Sequence, residues 1–211
     1  MSEQQTILVA GANGTTGRHI INTLKESSDY QPIAMIRKPE QADFFEHQNV
    51  KTMLADLEDQ NSYSLNNVDG VIFAAGSKGK NLIAVDQEGA KKMVDAAAQA
   101  NVDKFVMLSS MGADKPGIGG DLEAYLRAKQ SADDHLQLSS LDYSIIRPGM
   151  LTDEPGTGQI QLKEQLNQQG NISREDVAQT LVAGLDKNTL PQQAVEILSG
   201  DTPIIKALKT F

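Results

Sequence analysis

Short apolar runs alternate along this chain with longer stretches in which apolar residues return every three or four positions. The first run, ILVA at 7–10, precedes a helical pattern over 19–25, and further runs fall at 31–36, 50–53, 70–75, 103–109 and 142–147. Runs this short read as strands buried in a parallel sheet. The segments 82–98 and 121–138 carry the helical period, and a shorter helix is expected after Asp56. Such alternation predicts a single α/β domain over 1–211: a doubly wound parallel sheet with helices on both faces and ligands at the carboxyl ends of its strands. The rhythm breaks at 149–172, which is rich in Gly, Gln and Asn, contains Pro155 and alternates only over 159–162. That segment is expected to form a small C-terminal flap over the site. Ser173-Arg174-Glu175-Asp176 then resembles a capping box for a helix to about residue 186, and 194–199 reads as a closing strand.

The turn after the first run carries the most specific signal. In TILVAGANGTTG, residues 6–17, Gly11 permits a sharp exit from the strand, Gly14 keeps a Cβ away from an approaching phosphate, and Gly17 lets the helix lie close on the sheet. Unpaired amides of the first helical turn, and the positive end of its dipole, then face the anion. Asn13 lies within this loop, and Thr15 and Thr16 add hydroxyl donors. With a strand before it and a helix after it, the turn reads as a Rossmann-type dinucleotide site rather than a bend that merely uses glycine.

Composition narrows the class. A chain of 211 residues with 39% hydrophobic content and few aromatics fits one domain with a core of Val, Ile, Leu and Ala. No apolar run approaches the roughly 18–20 residues of a membrane span, and the amino terminus enters the first strand without a basic leader, so a cytoplasmic protein is expected. Cysteine is absent, which removes disulfides, thiolate chemistry and cysteine metal sites. The formal charge of −9 disfavours nucleic acid and reads as serving solubility rather than any partner. It would also repel a dinucleotide, so the site needs local cations, and Arg18, Arg37 and Lys38 supply them. A small-molecule substrate is the expected partner, with the protein a monomer or homodimer. His19, His47 and His135 lack ligand spacing, and no metal site is expected. Asp133 and Asp134 read as a solvated helix face. Lys78 and Lys80, after the fourth strand, could steer an anionic substrate or belong to a solvated loop.

Arg37 ends the second strand about 20 residues beyond Gly17, where an NAD site usually carries a ribose-binding acid. An arginine there can fork two N–H donors onto a 2′-phosphate, whereas a carboxylate would repel it. NADP is therefore the expected coenzyme. After the third strand, Asp56 could accept from the adenine amine or cap a helix, while Leu57 packs the ring. The small residues Ala74, Ala75 and Gly76 after the fourth strand let the backbone approach the coenzyme.

The reaction-bearing candidate is Tyr125-Leu126-Arg127-Ala128-Lys129, preceded by Ser109 and Ser110 at the end of the fifth strand. Tyr125 and Lys129, four apart, share one helix face. A phenol with a reference pKa near 10 becomes a better proton carrier beside the positive charges of an ammonium and an oxidised nicotinamide. Lys129 can also hold ribose hydroxyls, Ser110 can polarise a carbonyl, and Tyr125 can give or take the proton as hydride moves.

Together GANGTTG, the Arg37 strand end, FAAG, VDQEGA, LSSMGAD, YLRAK and IIRPGMLTDEPGTG resemble the short-chain dehydrogenase/reductase superfamily, especially its atypical branch of compact NADP-binding proteins often labelled epimerases or dehydratases. The resemblance runs through nearly the whole chain. It implies Ser110, Tyr125 and Lys129 as a catalytic trio, with Ser109 replacing Ser110 if the strand register differs by one. It places Asp86 where the fuller family pattern has an asparagine that helps hold a water chain behind the lysine, and Pro148 beside the nicotinamide. Three functions follow: an NADP-dependent oxidoreductase acting on a small carbonyl or alcohol, an NADP-binding redox sensor or scaffold without turnover, and a nucleotide-sugar epimerase or dehydratase.

Overall fold

β1 (Gln5–Ala10) lies deep in the sheet because its last four residues are all buried, with Ile7 and Val9 packing on one face and Leu8 and Ala10 on the other. The computed structural model describes residues 4–77 and 81–211. From β1 the chain passes through α1 (Thr15–Glu26), β2 (Tyr30–Ile36), α2 (Ala42–Glu46), β3 (Lys51–Leu54) and β4 (Gly70–Phe73). A π-helical segment, Leu82–Gly89, leads into α3 (Ala90–Gln99), followed by β5 (Lys104–Leu108), α4 (Glu123–Gln137) and β6 (Tyr143–Pro148). The remainder comprises β7 (Met150–Thr152), β8 (Gln159–Lys163), β9 (Asn171–Ser173), α5 (Arg174–Ala183), β10 (Gln193–Ser199), β11 (Thr202–Pro203) and α6 (Ile204–Lys209).

The main sheet runs β11-β8-β10-β6-β5-β4-β1-β2-β3. From β3 to β10 every pairing is parallel, while β8 and β11 extend that edge antiparallel. α1 and α5 seal one face through Ile20, Ile21, Leu24, Val177 and Leu181; α3 and α4 seal the other through Met93, Val94, Ala97, Ala132 and Leu136. This is the doubly wound arrangement expected from the alternation, and its order reverses between β1 and β4, so the crevice opens above their carboxyl ends.

Local expectations change in three places. The segment 82–98 is helical throughout, but its first half is π-helical rather than α, a distinction that apolar spacing does not carry. After Asp56 there is only a single 3-10 turn, Gln60–Ser62, in place of a helix. The segment 149–172 contributes β8 to the main sheet and pairs β7 with β9 beyond the end of β6. The buried Asp176 ties this segment down, its carboxylate accepting the amides of Thr157 (3.0 Å) and Gly158 (2.7 Å). The capping residue is the expected one: Ser173 Oγ accepts the Asp176 amide at 3.0 Å.

Candidate coenzyme and catalytic site

The glycine turn is held by contacts no side chain would permit. At Gly11, φ is +87°, and a Cβ would lie 2.6 Å from the main chain of Ala75 at the exit of β4. A Cβ on Gly17 would lie 2.1 Å from the Gly11 carbonyl oxygen, so α1 can approach β1 only without one. The Gly14 amide donates to the Gly11 carbonyl at 2.9 Å and closes the turn. Gly14 then caps α1 with its backbone alone, and no side-chain hydrogen bond caps the helix's amino end among the described residues. Gly14 and Thr15 are exposed and Thr16 is buried, leaving an open, amide-rich cradle that fits a diphosphate. Asn13 has a specific partner, its Oδ1 accepting from Arg18 at 2.8 Å.

At the end of β2 the amides of Arg37 and Lys38 both donate to Gln41 Oε1 at 3.0 Å, which fixes the strand exit. The Arg37 side chain is exposed and makes no ion pair among the described residues, while Lys38 lies 3.7 Å from Glu40. Asp56 closes the turn after β3, one carboxylate oxygen accepting the Glu58 amide at 3.0 Å, and Leu57 packs half-buried against the core. Beyond β4 the Ala74 amide donates to the Ala10 carbonyl at 2.8 Å; Ala75 is buried and Gly76 exposed.

α4 brings the reaction candidates together. Lys129 is buried, its Nζ donating to the Leu108 carbonyl at 3.1 Å and lying 5.8 Å from the centre of the half-buried Tyr125 ring. The two adjacent serines divide their roles. Ser109 turns inward and donates to Asp133 at 2.8 Å, which leaves the half-buried Ser110 at the strand exit. The Pro148 carbonyl accepts the Met111 amide at 2.9 Å and joins the end of β6 to that exit. Asp86 is buried in the π-helical segment, but its carboxylate accepts the Ser77 amide at 2.9 Å and has no hydrogen bond to Lys129 among the described residues. It therefore fixes the loop after β4.

Asp133 corrects a sequence expectation. Asp134 is exposed as a solvated face requires, whereas Asp133 is fully buried. Arg147 of β6 reaches it with Nε at 3.0 Å and a terminal nitrogen at 2.9 Å. Burial pushes the carboxyl above its ordinary range, opposed by Arg147, Ser109 and Lys129. One oxygen is buried with no hydrogen-bond partner among the described residues, which keeps the carboxyl costly to ionise. A signal was available: Arg147 lies in a strand whose six residues are all buried, and a guanidinium there demands an acid. Lys78 and Lys80 lie outside the described residues. A polar concavity of about 510 Å³ lined by Lys163, Glu164, Gln165, Gln193 and Phe211 lies at the β8 edge and shares no residue with this site.

An amide-lined turn at the switch point of a parallel sheet, with small residues beside it, defines a dinucleotide-binding α/β protein. The chain belongs to the NAD(P)H-binding family, whose model matches residues 11–188. It is 37% identical over 211 residues to a Bacillus subtilis (strain 168) protein named as an uncharacterized sugar epimerase, YhfK, covering 96% of this chain and 98% of that one. A solved structure from Bacillus halodurans, provisionally titled an NAD-dependent epimerase/dehydratase, shares 34% identity with TM-score 0.92 and covers 98% of this chain and 100% of that one. The oxidoreductase ylbE from Lactococcus lactis shares 31% identity with TM-score 0.88, covering 98% and 96%. The fold extends to a Veillonella parvula short-chain dehydrogenase/reductase solved with NADP, at 17% identity and TM-score 0.77, covering 95% and 97%. This is thus an NAD(P)-binding protein of an oxidoreductase/epimerase-like family, in agreement with its resemblance to the atypical short-chain enzymes.

Proposed function

We propose that the chain is an NADP-dependent oxidoreductase that reduces a carbonyl, or oxidises the matching alcohol, on a small substrate. The observation that carries this reading is the α4 corner. Tyr125 stands half-buried with the Lys129 amine 5.8 Å from its ring centre, next to a strand exit where Ser110, its Oγ donating to the Met111 carbonyl at a long 3.4 Å, is the serine not committed to Asp133. The coenzyme, when bound, supplies or accepts the hydride. Its diphosphate is assigned to the amides of Gly11, Asn13, Gly14, Thr15, Thr16 and Gly17, and its 2′-phosphate to Arg37. Asp56 and Leu57 take the adenine, Ala74, Ala75 and Gly76 line the ribose side, and Ser109 contributes through its main chain. Lys129 holds the nicotinamide ribose and Pro148 flanks the ring.

In the reducing direction Ser110 Oγ donates a hydrogen bond to the substrate carbonyl oxygen, and Tyr125 Oη gives that oxygen its proton, regaining one from solvent. Asp86 supports the site by fixing the Ser77 amide. The test is NADPH consumption across a panel of aldehydes, ketones and quinones, followed by near-ultraviolet absorbance. Tyr125→Phe is expected to cut turnover on a panel substrate by about 100-fold or more while leaving NADPH affinity within about twofold. Unchanged turnover overturns the mechanism.

A second reading, an NADP-binding sensor without turnover, draws on the burial of Lys129 against the Leu108 carbonyl, a holding role that needs no reaction. Tight NADPH binding with no consumption across the whole panel would select it. Epimerisation ranks third. The strands β8, β10 and β11 join the main sheet instead of forming a second lobe for a nucleotide sugar.

A further inference from the structure

We propose that Arg18 is a second cation for the coenzyme 2′-phosphate and that Phe44 is the positioning residue that holds it there, so that Phe44 contributes to discrimination between NADPH and NADH. Arg18 is exposed, yet its guanidinium is restrained on two sides. A terminal nitrogen donates to Asn13 Oδ1 at 2.8 Å, and the guanidinium carbon lies 4.1 Å from the centre of the Phe44 ring. Phe44 is itself braced, edge-on at 90° and 5.1 Å from the fully buried Phe45. A line of contacts thus runs from the core through Phe45 and Phe44 to Arg18 and into the glycine loop at Asn13.

Three observations give that line a purpose. A guanidinium stacked on a ring keeps its in-plane N–H donors free, and Arg18 uses one of its five on Asn13. Arg18, like Arg37, makes no ion pair among the described residues, although the chain carries a net charge of −9. The short stretch after β2 also serves both cations: Gln41 holds the Arg37 and Lys38 amides, and Phe44, one turn later, seats Arg18. Phe44 remains 41% exposed, an apolar ring kept at the surface beside the turn where the coenzyme is assigned.

This inference rests on the NADP reading above, and the experiment separates the two. The full-length protein is titrated with NADPH and with NADH, followed by nicotinamide fluorescence. Phe44→Leu keeps an apolar side chain against Phe45 and removes the aromatic face; it is expected to weaken NADPH binding about two- to fivefold and leave NADH unchanged, as loss of an exposed cation–π contact predicts. Phe44→Trp is expected to keep or strengthen the preference. Arg18→Gln, which can still donate to Asn13, is expected to weaken NADPH about tenfold and to flatten the salt dependence of its binding. Equal weakening of both coenzymes, or an unchanged ratio in Phe44→Leu and Arg18→Gln, overturns the inference and leaves Phe44 as packing between α1 and α2. A wild-type protein that binds both coenzymes alike overturns the NADP reading, and this inference falls with it.

Discussion

The coenzyme end of the molecule is shaped by the absence of side chains, the α4 corner by charged ones placed out of water. At the glycine turn, Gly11 and Gly17 let the main chain come within distances that a single methyl group would block, and the cations nearby are exposed. At the α4 corner Lys129, Asp133 and Arg147 are buried together with Ser109, each engaged by a partner a few ångströms away. An exposed cation can be replaced at small cost to the fold, while a buried one leaves its partner stranded in low dielectric. On the proposed reading, binding specificity and stability therefore sit in different halves of one crevice.

The largest test of that contrast is Asp133→Leu. It strands the Arg147 guanidinium and is expected to remove about 3–5 kcal/mol of stability, read from urea unfolding. A loss no greater than that of a surface substitution would show that the buried network is dispensable. Gly17→Ala should cost about 2–3 kcal/mol, because its methyl meets the Gly11 carbonyl at 2.1 Å, and should also abolish saturable NADPH binding. A variant that folds and binds normally would mean that α1 can shift without consequence.

A subtler experiment uses pH. The folded Asp133 carboxyl is raised above its ordinary value by burial, so folding takes up a proton between the unfolded and folded pKa values. Its contribution is fully present below the unfolded value and is lost as pH rises through the raised one. The stability gap between wild type and Asp133→Asn should accordingly narrow as pH is raised from about 3 toward 7. A widening gap would mean that attraction to Arg147 outweighs burial. The smallest effect belongs to the outer face of the same helix. Glu123 and Arg127 pair there in solvent, four residues apart, and Glu123→Gln should change stability by only about 0.3–0.5 kcal/mol.

Some features were readable in one dimension and others were not. Gly11, Gly14 and Gly17 declare themselves because their spacing encodes a backbone shape, and the strand-helix alternation follows from local periodicity. Tyr125 and Lys129 are legible for the same reason, being one helical turn apart. Asp133 is also one turn from Lys129, but a carboxylate on a helix reads as solvated until β6 is laid beside it with Arg147 facing inward. Phe44 gives no signal at all, since its proposed role depends on a contact between α1 and α2. The choice between Ser109 and Ser110 was equally closed to inspection, because one residue of strand register decides which hydroxyl faces the core.

What the order of residues specified alone was the wound sheet, its crossover turn and the chemical types gathered at the carboxyl ends of the strands, because these rest on hydrophobic period and backbone sterics within a few residues. The partners were settled only in three dimensions. Asp133 with Arg147, Asp86 with the Ser77 amide and Arg18 over Phe44 are contacts between segments distant or unrelated by any repeat, and burial and charge pairing are properties of neighbours in space.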